Sequence, residues 1–417
     1  MADALPPLGP AYLDPAAYLR DPRFHRSLSF TPSSSSPPLT VSYTLCGSSD
    51  PAAPCVIWIN GMGHHRLASV LFDGLFAARG ARLLTVERGG AGLSSAVPLK
   101  DRTRISHEAL LAVLAKEGIT EVSLLSHSNG IIYALYTLLH LPPPSSPDCP
   151  VRVKSWHLSS PYVPPWHSSS LPLLAARWIP PALTSRLGDV AVLAQKAYEP
   201  FARSSGWSAG VSSALKAWSA GVVSPLTSSA DAAAAAEEEV TPTAADATRQ
   251  RNRFVEVNAK RPPHERMFGG LYYGPSLFSR GMKVAFEEGR GAMGQEALIC
   301  LRQGEGAAWN WFDEREEGVV PEGELYSRGF ARLKEKLERE GWELPVSVAC
   351  AAEDGIVPKK GREYLRGLLV DEVRLVKAEK WAEVEDAGHD DPLGLECVAE
   401  PLLQDVLRAH SATAGQQ

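Results

Sequence analysis

Short apolar runs alternate with longer amphipathic ones along the chain from residue 39 onward. The runs at Cys55–Ile59 and residues 122–125 are apolar on consecutive residues, with Ser123 as the exception, which is typical of parallel strands covered by helices on both faces. The segments between such runs, for example RLASVLFDGLFAARG and TRISHEALLAVLAKEGI, place apolar residues at helical spacing. The order over residues 39–160 is strand, strand, helix, strand, helix, strand, helix, strand. We therefore predict an α/β protein with a mostly parallel, doubly wound sheet.

This alternation stops near Ser160 and resumes at Leu344 with LPVSVACAAED. A helix over residues 361–369, a further strand-like run, EVRLVKAE, and a final helix near residues 396–410 follow. The stretch between, residues 164–341, has amphipathic helical runs and no strand alternation. We predict a sheet that is left and re-entered, with a core in two parts, 39–163 and 342–417, and an inserted helical cap over 164–341.

Two segments lack the pattern of a packed element. Residues 224–250, SPLTSSADAAAAAEEEVTPTAADATRQ, are rich in Ala, Ser, Thr and Glu and poor in large apolar residues, which predicts a mobile loop with transient helix around residues 232–239. The first 38 residues end in SFTPSSSSPPLT and predict an irregular N-terminal arm.

The composition removes several classes of protein. With 417 residues, 44% of them hydrophobic and 22% charged, the chain is neither disordered nor a disulfide scaffold. Its 42 basic and 48 acidic residues give a net charge of −6, which provides no broad attraction to nucleic acid or anionic lipid. We expect no nucleic-acid partner.

The six cysteines are scattered without a C-x-x-C pair, which indicates thiols and no zinc site. The N-terminus has prolines and charges where a signal peptide needs an apolar stretch, and no apolar run reaches 18 residues. These features predict a cytoplasmic protein without an integral membrane segment.

Candidate chemistry lies in EVSLLSHSNGIIYALY, where an apolar strand runs through a small-residue turn into a helix. Ser128 occupies the turn. A serine on such a bend exposes its hydroxyl, and the N–H of the next residue, Asn129, faces the same space. Gly130 supplies a required small residue, whereas Ser126 stands where G-x-S-x-G has its first glycine. Taken alone, the S-x-S-x-G string is equally well explained as a polar turn.

Three further segments, in order, make the chain resemble the α/β-hydrolase family, as an AB hydrolase-1 type enzyme, over about 200 residues. VIWINGMGHHR ends a strand in Asn60-Gly61, where the family usually has His-Gly. The resemblance implies that the next residue, Met62, provides an oxyanion-hole N–H together with Asn129. LLTVERGGAGLSS resembles the family's D-R-x-G-x-G-x-S segment, with Glu87 in place of Asp, and implies a structural turn.

The third resemblance is in the C-terminal block, in VSVACAAEDGIVP and VEDAGHDDP. It implies that Asp354 is the acid and His389 the base of a catalytic triad with Ser128, in the chain order that the family requires. A serine hydroxyl is a weak nucleophile, so an imidazole must take its proton and a carboxylate must hold the imidazole.

Other side chains compete for these roles. Four carboxylates lie next to the proposed acid and base, and we interpret them as solvated neighbours: Glu353, Asp386, Asp390 and Asp391. His127, beside Ser128, is interpreted as a turn or strand-end side chain because the adjacent position points away from the hydroxyl.

The resemblance implies hydrolysis of a carboxylic ester or thioester of a small to medium apolar acyl group, without cofactor or metal. A serine argues against relatives that use an aspartate nucleophile, the haloalkane dehalogenases and epoxide hydrolases. An acyltransferase on the same fold remains an alternative, as does a non-catalytic binding protein suggested by Ser126 and Asn60. Apolar residues at the start of the insertion either line an acyl pocket or form buried helix faces: Trp166, Leu173, Leu174, Trp178, Ile179 and Leu183.

Overall fold

Eight strands form one sheet in the order β1-β2-β4-β3-β5-β6-β7-β8. The computed structural model describes residue 5 and residues 7–33, 37–187, 189, 243–289, 292–304 and 320–414. The pairs β1–β2 and β2–β4 are antiparallel and the other five are parallel. The strands are β1 Arg26–Phe30, β2 Leu39–Gly47, β3 Cys55–Ile59, β4 Arg82–Val86, β5 Glu121–His127, β6 Arg152–Ser159, β7 Val346–Ala351 and β8 Trp381–Val384.

Helices flank this sheet. Short 3-10 segments and one π turn, Gly367–Glu372, complete the regular structure. The helices of the described residues are α1 Pro10–Leu13, α2 Pro15–Leu19, α3 Asp73–Ala78, α4 Arg102–Glu117, α5 Gly130–His140, α6 Pro165–Ser168, α7 Leu171–Ala176, α8 Pro181–Thr184, α9 Ala244–Ala259, α10 Gly269–Tyr272, α11 Pro275–Glu288, α12 Ala292–Leu301, α13 Leu325–Glu340, α14 Lys359–Arg366 and α15 Glu396–Ala414.

Both faces of the sheet are buried, which confirms the prediction from the consecutive apolar runs. On β5, Leu124 packs into a cluster with α4, α5 and α13, whereas Leu125 packs on the opposite face with α3 and α15. Ile57 and Trp58 of β3 divide in the same way. Because side chains alternate along a strand, an apolar residue at every position has a hydrophobic partner only in a sheet covered on both sides.

The segment between β6 and β7 is helical in its described residues, apart from an isolated bridge between Met267 and Leu395. One of its helices, α11, ends in an ion-pair network with the core. Glu288 lies 2.9 Å from Nη2 of the fully buried Arg66, and 3.0 Å from Nε2 of His65. Burial raises the pKa of the Glu288 carboxyl, but His65 and Arg66 lower it to about 2. That the insertion forms a cap over the site stays a prediction.

Three expectations from sequence were wrong in part. The predicted irregular arm, residues 1–38, contains α1, α2 and the edge strand β1, since RSLSF pairs antiparallel with residues 39–43 of β2. EVRLVKAE is not a strand; the chain leaves the π turn there, and the last strand is Trp381–Val384. Residues 244–250 of the predicted loop begin α9, whose N-cap Thr243 accepts a hydrogen bond from the N–H of Asp246. Residues 224–242 lie outside the described residues.

Among the helices that the structure describes, none is both long and apolar enough to cross a membrane.

Candidate active site

Ser128 stands at the bend between β5 and α5. Its φ is +51°, in the left-handed region that non-glycine residues seldom adopt, so the backbone is strained at this position. Gly130 begins α5 against the neighbouring strand: a Cβ added there would lie 2.1 Å from the carbonyl oxygen of Ile59. The sharp turn needs this close approach of helix and strand, which explains the glycine two residues after the serine.

The structure brings Ser128, His389 and Asp354 together as a hydrogen-bonded chain. Nε2 of His389 lies 2.8 Å from Oγ of Ser128, and its Nδ1 lies 2.7 Å from Oδ2 of Asp354. A carboxylate only accepts hydrogen bonds, so Nδ1 carries the ring proton and Nε2 accepts from the serine hydroxyl. These three residues come from the ends of β5, β7 and β8, which meet at one edge of the sheet.

The carboxylate of Asp354 is held in place by two backbone N–H groups. Oδ1 of Asp354 accepts hydrogen bonds from the N–H groups of Ile356 and Val357, both at 2.8 Å. Burial lowers the pKa of the His389 imidazole, but the Asp354 carboxylate outweighs it, with Asp390 acting in the same direction, so the pKa lies above the usual 6.5. The arrangement favours a base that accepts and retains a proton.

A second histidine–aspartate pair lies beside the first. Nε2 of His127 is 2.8 Å from Oδ1 of Asp390, and Nδ1 is 3.2 Å from the carbonyl oxygen of Ser159. Both ring nitrogens face oxygen atoms, so the ring is held from two sides. Burial raises the pKa of the Asp390 carboxyl, but the hydrogen bond from His127 lowers it well below its usual range. The interpretation of Asp390 as a solvated neighbour was therefore wrong.

The other three carboxylates differ from Asp390. Glu353 is exposed, and the Asp386 side chain is 69% exposed. Asp391 accepts a hydrogen bond from the N–H of Gly388 at 2.6 Å, within the loop that carries His389. None of the three contacts the His389 ring by a hydrogen bond within the described part of the chain.

The residues expected to provide oxyanion donors lie next to Ser128. A Cβ on Gly61 would be 3.1 Å from Cβ of Ser128, so the turn Asn60–Gly61–Met62, here called the 60–62 turn, abuts the serine. Among the backbone hydrogen bonds of the described residues, none uses the N–H of Met62 or of Asn129. Two amide donors beside a serine are the arrangement that stabilises an oxyanion.

Behind the 60–62 turn lies a buried cluster of charged residues. Arg88 donates from Nη1 to the carbonyl oxygen of Asn60 at 2.6 Å and from Nη2 to that of Gly61 at 2.9 Å. Its Nε and Nη2 also donate to both carboxylate oxygens of Glu296, a buried residue of α12. Burial raises the pKa of the Glu296 carboxyl, and the charges of Arg88 and Arg102 lower it, with a net lowering.

The apolar residues at the start of the insertion do not share one environment. Trp166 and Leu173 pack against the core. Trp178 is 89% exposed, and Ile179 and Leu183 are exposed as well, so the expectation of buried helix faces is wrong for these three.

Ligand atoms of metal-binding type lie within 4.8 Å of one another in three groups of the described residues. In the group around Glu87 and Glu288, the Arg66 guanidinium already contacts both carboxylates and supplies the positive charge. The three groups are His64, His127 and Asp390; His65, Glu87 and Glu288; and His264, Glu265 and Asp386.

No protein-family model matches the chain, and no curated protein matches it. Solved structures, in contrast, are similar to it in three dimensions. A "putative lipase (lip1)" from Acinetobacter baumannii AYE is 12% identical, with 96% of each chain covered and a TM-score of 0.50. MGS-M2, an alpha/beta hydrolase enzyme from a Medee basin deep-sea metagenome library, is 14% identical over 92% of this chain and 97% of that one, with a TM-score of 0.43. Together with the sheet order, the likeness to the A. baumannii structure establishes that the chain has the α/β-hydrolase fold.

Sequence reasoning missed Glu296 and the pairing of Asp390 with His127. A signal for the first was present, because Glu296 interrupts an apolar helical run, EALICL, and a buried carboxylate requires a charged partner. The second pair is separated by 263 positions, and local pattern carries no information about it.

Proposed function

We propose that the chain is a serine hydrolase that cleaves a carboxylic ester or thioester of a small to medium apolar acyl group through an acyl-enzyme. The observation that carries this proposal is the hydrogen-bonded chain of Ser128, His389 and Asp354, with its serine on a strained strand-to-helix bend. A polar turn or a binding surface needs neither a buried His–Asp pair nor an imidazole aligned on the serine.

In the proposed first step, Oγ of Ser128 attacks the substrate carbonyl carbon while Nε2 of His389 takes the hydroxyl proton. Asp354 holds the Nδ1 proton and stabilises the resulting imidazolium. The N–H groups of Met62 and Asn129 donate to the oxyanion of the tetrahedral intermediate. His389 then gives its proton to the leaving alkoxide or thiolate as the bond to the carbonyl carbon breaks.

In the second step, His389 takes a proton from water, and the hydroxide attacks the acyl-enzyme. The tetrahedral intermediate collapses, the proton returns to Oγ of Ser128, and the carboxylic acid leaves. The printed name of the A. baumannii structure, a "putative lipase", agrees with an ester as substrate. All six cysteines are free thiols, which fits the proposed cytoplasmic location.

A series of p-nitrophenyl esters of increasing acyl length tests this proposal. We expect a burst of p-nitrophenol and a mass increase by one acyl group on the peptide that contains Ser128. Ser128→Ala should lose both, while Ser29→Ala, an exposed serine of β1, should retain them. Two results would overturn the proposal: turnover without acylation of Ser128, and folded wild-type protein that turns over no ester of the series.

A further inference from the structure

One side chain of the insertion that reaches the residues of the proposed oxyanion site is Glu296 of α12. Its carboxylate is 1% exposed and lies among three polar partners contributed by the core. Arg88 binds both of its oxygens, Nη2 of Arg102 is 3.3 Å from Oε1, and Nδ2 of Asn129 donates to Oε2 at 3.3 Å. The negative charge of an insertion helix thus lies directly behind the turn that abuts Ser128.

Arg88 transmits this contact to the 60–62 turn. The carbonyl of Gly61 and the N–H of Met62 belong to one planar trans peptide, so they point in opposite directions. Arg88 holds the Gly61 carbonyl oxygen at 2.9 Å and the Asn60 carbonyl oxygen at 2.6 Å. Fixing one edge of that peptide fixes the direction of the N–H on its other edge.

Glu296 contacts the second proposed donor as well. Its Oε2 accepts from the side chain of Asn129, the residue whose backbone N–H follows the nucleophile. A single carboxylate therefore holds both residues that would donate to an oxyanion, one directly and one through a guanidinium.

We propose that Glu296 is a positioning residue for the oxyanion hole, so that the insertion contributes to the chemical step and not only to substrate binding. This inference rests on the proposed serine hydrolase function. It assigns to α12 a role that the core motifs do not contain. Undocking α12 would release Arg88 from the Asn60 and Gly61 carbonyls, and the Gly61–Met62 peptide would keep the longer hydrogen bond from the His64 N–H to the Gly61 carbonyl oxygen, at 3.3 Å, and would be held less firmly.

Two substitutions at Glu296 test the inference in the full chain. Glu296→Gln removes the charge that holds Arg88. Glu296→Asp keeps the charge, and with it the balance of the two buried arginines, but shortens the side chain by one methylene group. The second variant therefore decides the question if the first does not fold.

Gln303→Ala is the matched control, because Gln303 is buried and fixes the same insertion segment. None of its hydrogen bonds in the described part of the chain reaches the 60–62 turn. Its Nε2 donates at 3.1, 2.8 and 2.9 Å to the carbonyl oxygens of Ala176, Arg177 and Ile179.

The readouts are kcat and KM for a p-nitrophenyl ester and the inhibition constant of an alkyl trifluoromethyl ketone, which forms an oxyanion on the serine. We expect both Glu296 variants to lower kcat by about 10- to 100-fold, with KM unchanged. This drop in kcat is at most about that caused by removing one oxyanion-hole donor. The inhibition constant should rise in parallel. Gln303→Ala should leave kcat and ketone affinity near wild type and lower only the melting temperature.

Unchanged kcat in a folded Glu296→Asp or Glu296→Gln variant would overturn the inference, as would an equal loss of kcat in Gln303→Ala. Those results leave the proposed function standing, since the wild type remains active. A wild type without turnover or acylation would overturn the proposed function, and the inference with it.

Discussion

The imidazole rings of His389 and His127 lie side by side, with centroids 5.3 Å apart, and each is hydrogen-bonded to a different aspartate. Asp354 and Asp390 thus place two negative charges around the ring that faces Ser128. Both raise the pKa of His389, against the effect of burial. The pKa of the proposed base, His389, is therefore raised by Asp390, its neighbour in sequence, as well as by Asp354, its expected partner.

This relationship predicts the pH dependence of activity. Only neutral His389 accepts the serine proton, so kcat/KM should rise with pH through the pKa of His389, with a midpoint above 6.5. Asp390→Asn removes a charge that raises this pKa, and we expect the midpoint to move to lower pH. The measurement is kcat/KM against pH for both proteins.

Asp386→Asn is the control for that shift, because Asp386 lies in the same loop with a side chain that is 69% exposed. Its φ is +53°, a conformation that asparagine tolerates. It should leave the midpoint unchanged. An Asp390→Asn midpoint equal to that of wild type would contradict the electrostatic role of Asp390.

Ser126 is expected to matter for stability and not for catalysis. Its Oγ accepts a hydrogen bond from Nε1 of the fully buried Trp156 at 2.9 Å, so the hydroxyl is engaged with the neighbouring strand β6. Ser126→Ala leaves the indole N–H without its acceptor and should lower the free energy of unfolding by about 1–3 kcal/mol. Urea unfolding measures this, with Ser29→Ala on the exposed face of β1 as control. Loss of esterase activity in folded Ser126→Ala would disagree with this assignment.

Gly130→Ala should damage the bend itself. The new Cβ would lie 2.1 Å from the carbonyl oxygen of Ile59, a contact that forces helix and strand apart. We expect a loss of about 1–3 kcal/mol or more in the free energy of unfolding, together with lower activity. Gly367→Ala, where a Cβ meets no atom within 4 Å, should melt at or above the wild-type temperature. Equal melting temperatures for the two variants would show that the bend tolerates a side chain.

The ion pairs of Glu288 predict how the free energy of unfolding depends on pH. The carboxyl pKa is about 2 in the folded chain against 4.5 as a reference for the unfolded chain, so its contribution is fully present above pH 4.5. It is lost as the pH falls from 4.5 towards 2. The stability difference between wild type and Glu288→Gln should therefore shrink over this range, as measured by urea midpoints. As a control, Glu256→Gln, in an exposed pair with Lys260, should change the urea midpoint little at any pH. A difference in urea midpoint between wild type and Glu288→Gln that stays constant with pH would refute the account.

The parts of the fold that sequence predicted are those set by local pattern. The core strands follow from consecutive apolar residues, since only a sheet covered on both faces buries every position. Ser128, Asp354 and His389 were predicted from motifs at strand ends, and the structure brings them into hydrogen-bond contact. Their roles in a reaction remain a proposal.

The parts that sequence did not predict depend on distant partners. The edge strand β1 has the short, partly exposed run RSLSF, which becomes a strand only by pairing with β2. Glu296 lies 208 positions from Arg88, and no motif joins them. The same holds for His127 and Asp390, so the electrostatics around the proposed base became apparent only in three dimensions.

Labelling of the purified full chain by a fluorophosphonate probe tests the central claim most directly. The probe phosphonylates a serine only when a base has activated it. We predict rapid labelling of wild type, none in Ser128→Ala, and at most slow labelling in His389→Ala, with all three proteins showing the same cooperative melting. Folded wild type that is not labelled, or a Ser128→Ala variant labelled as fast as wild type, would contradict the account.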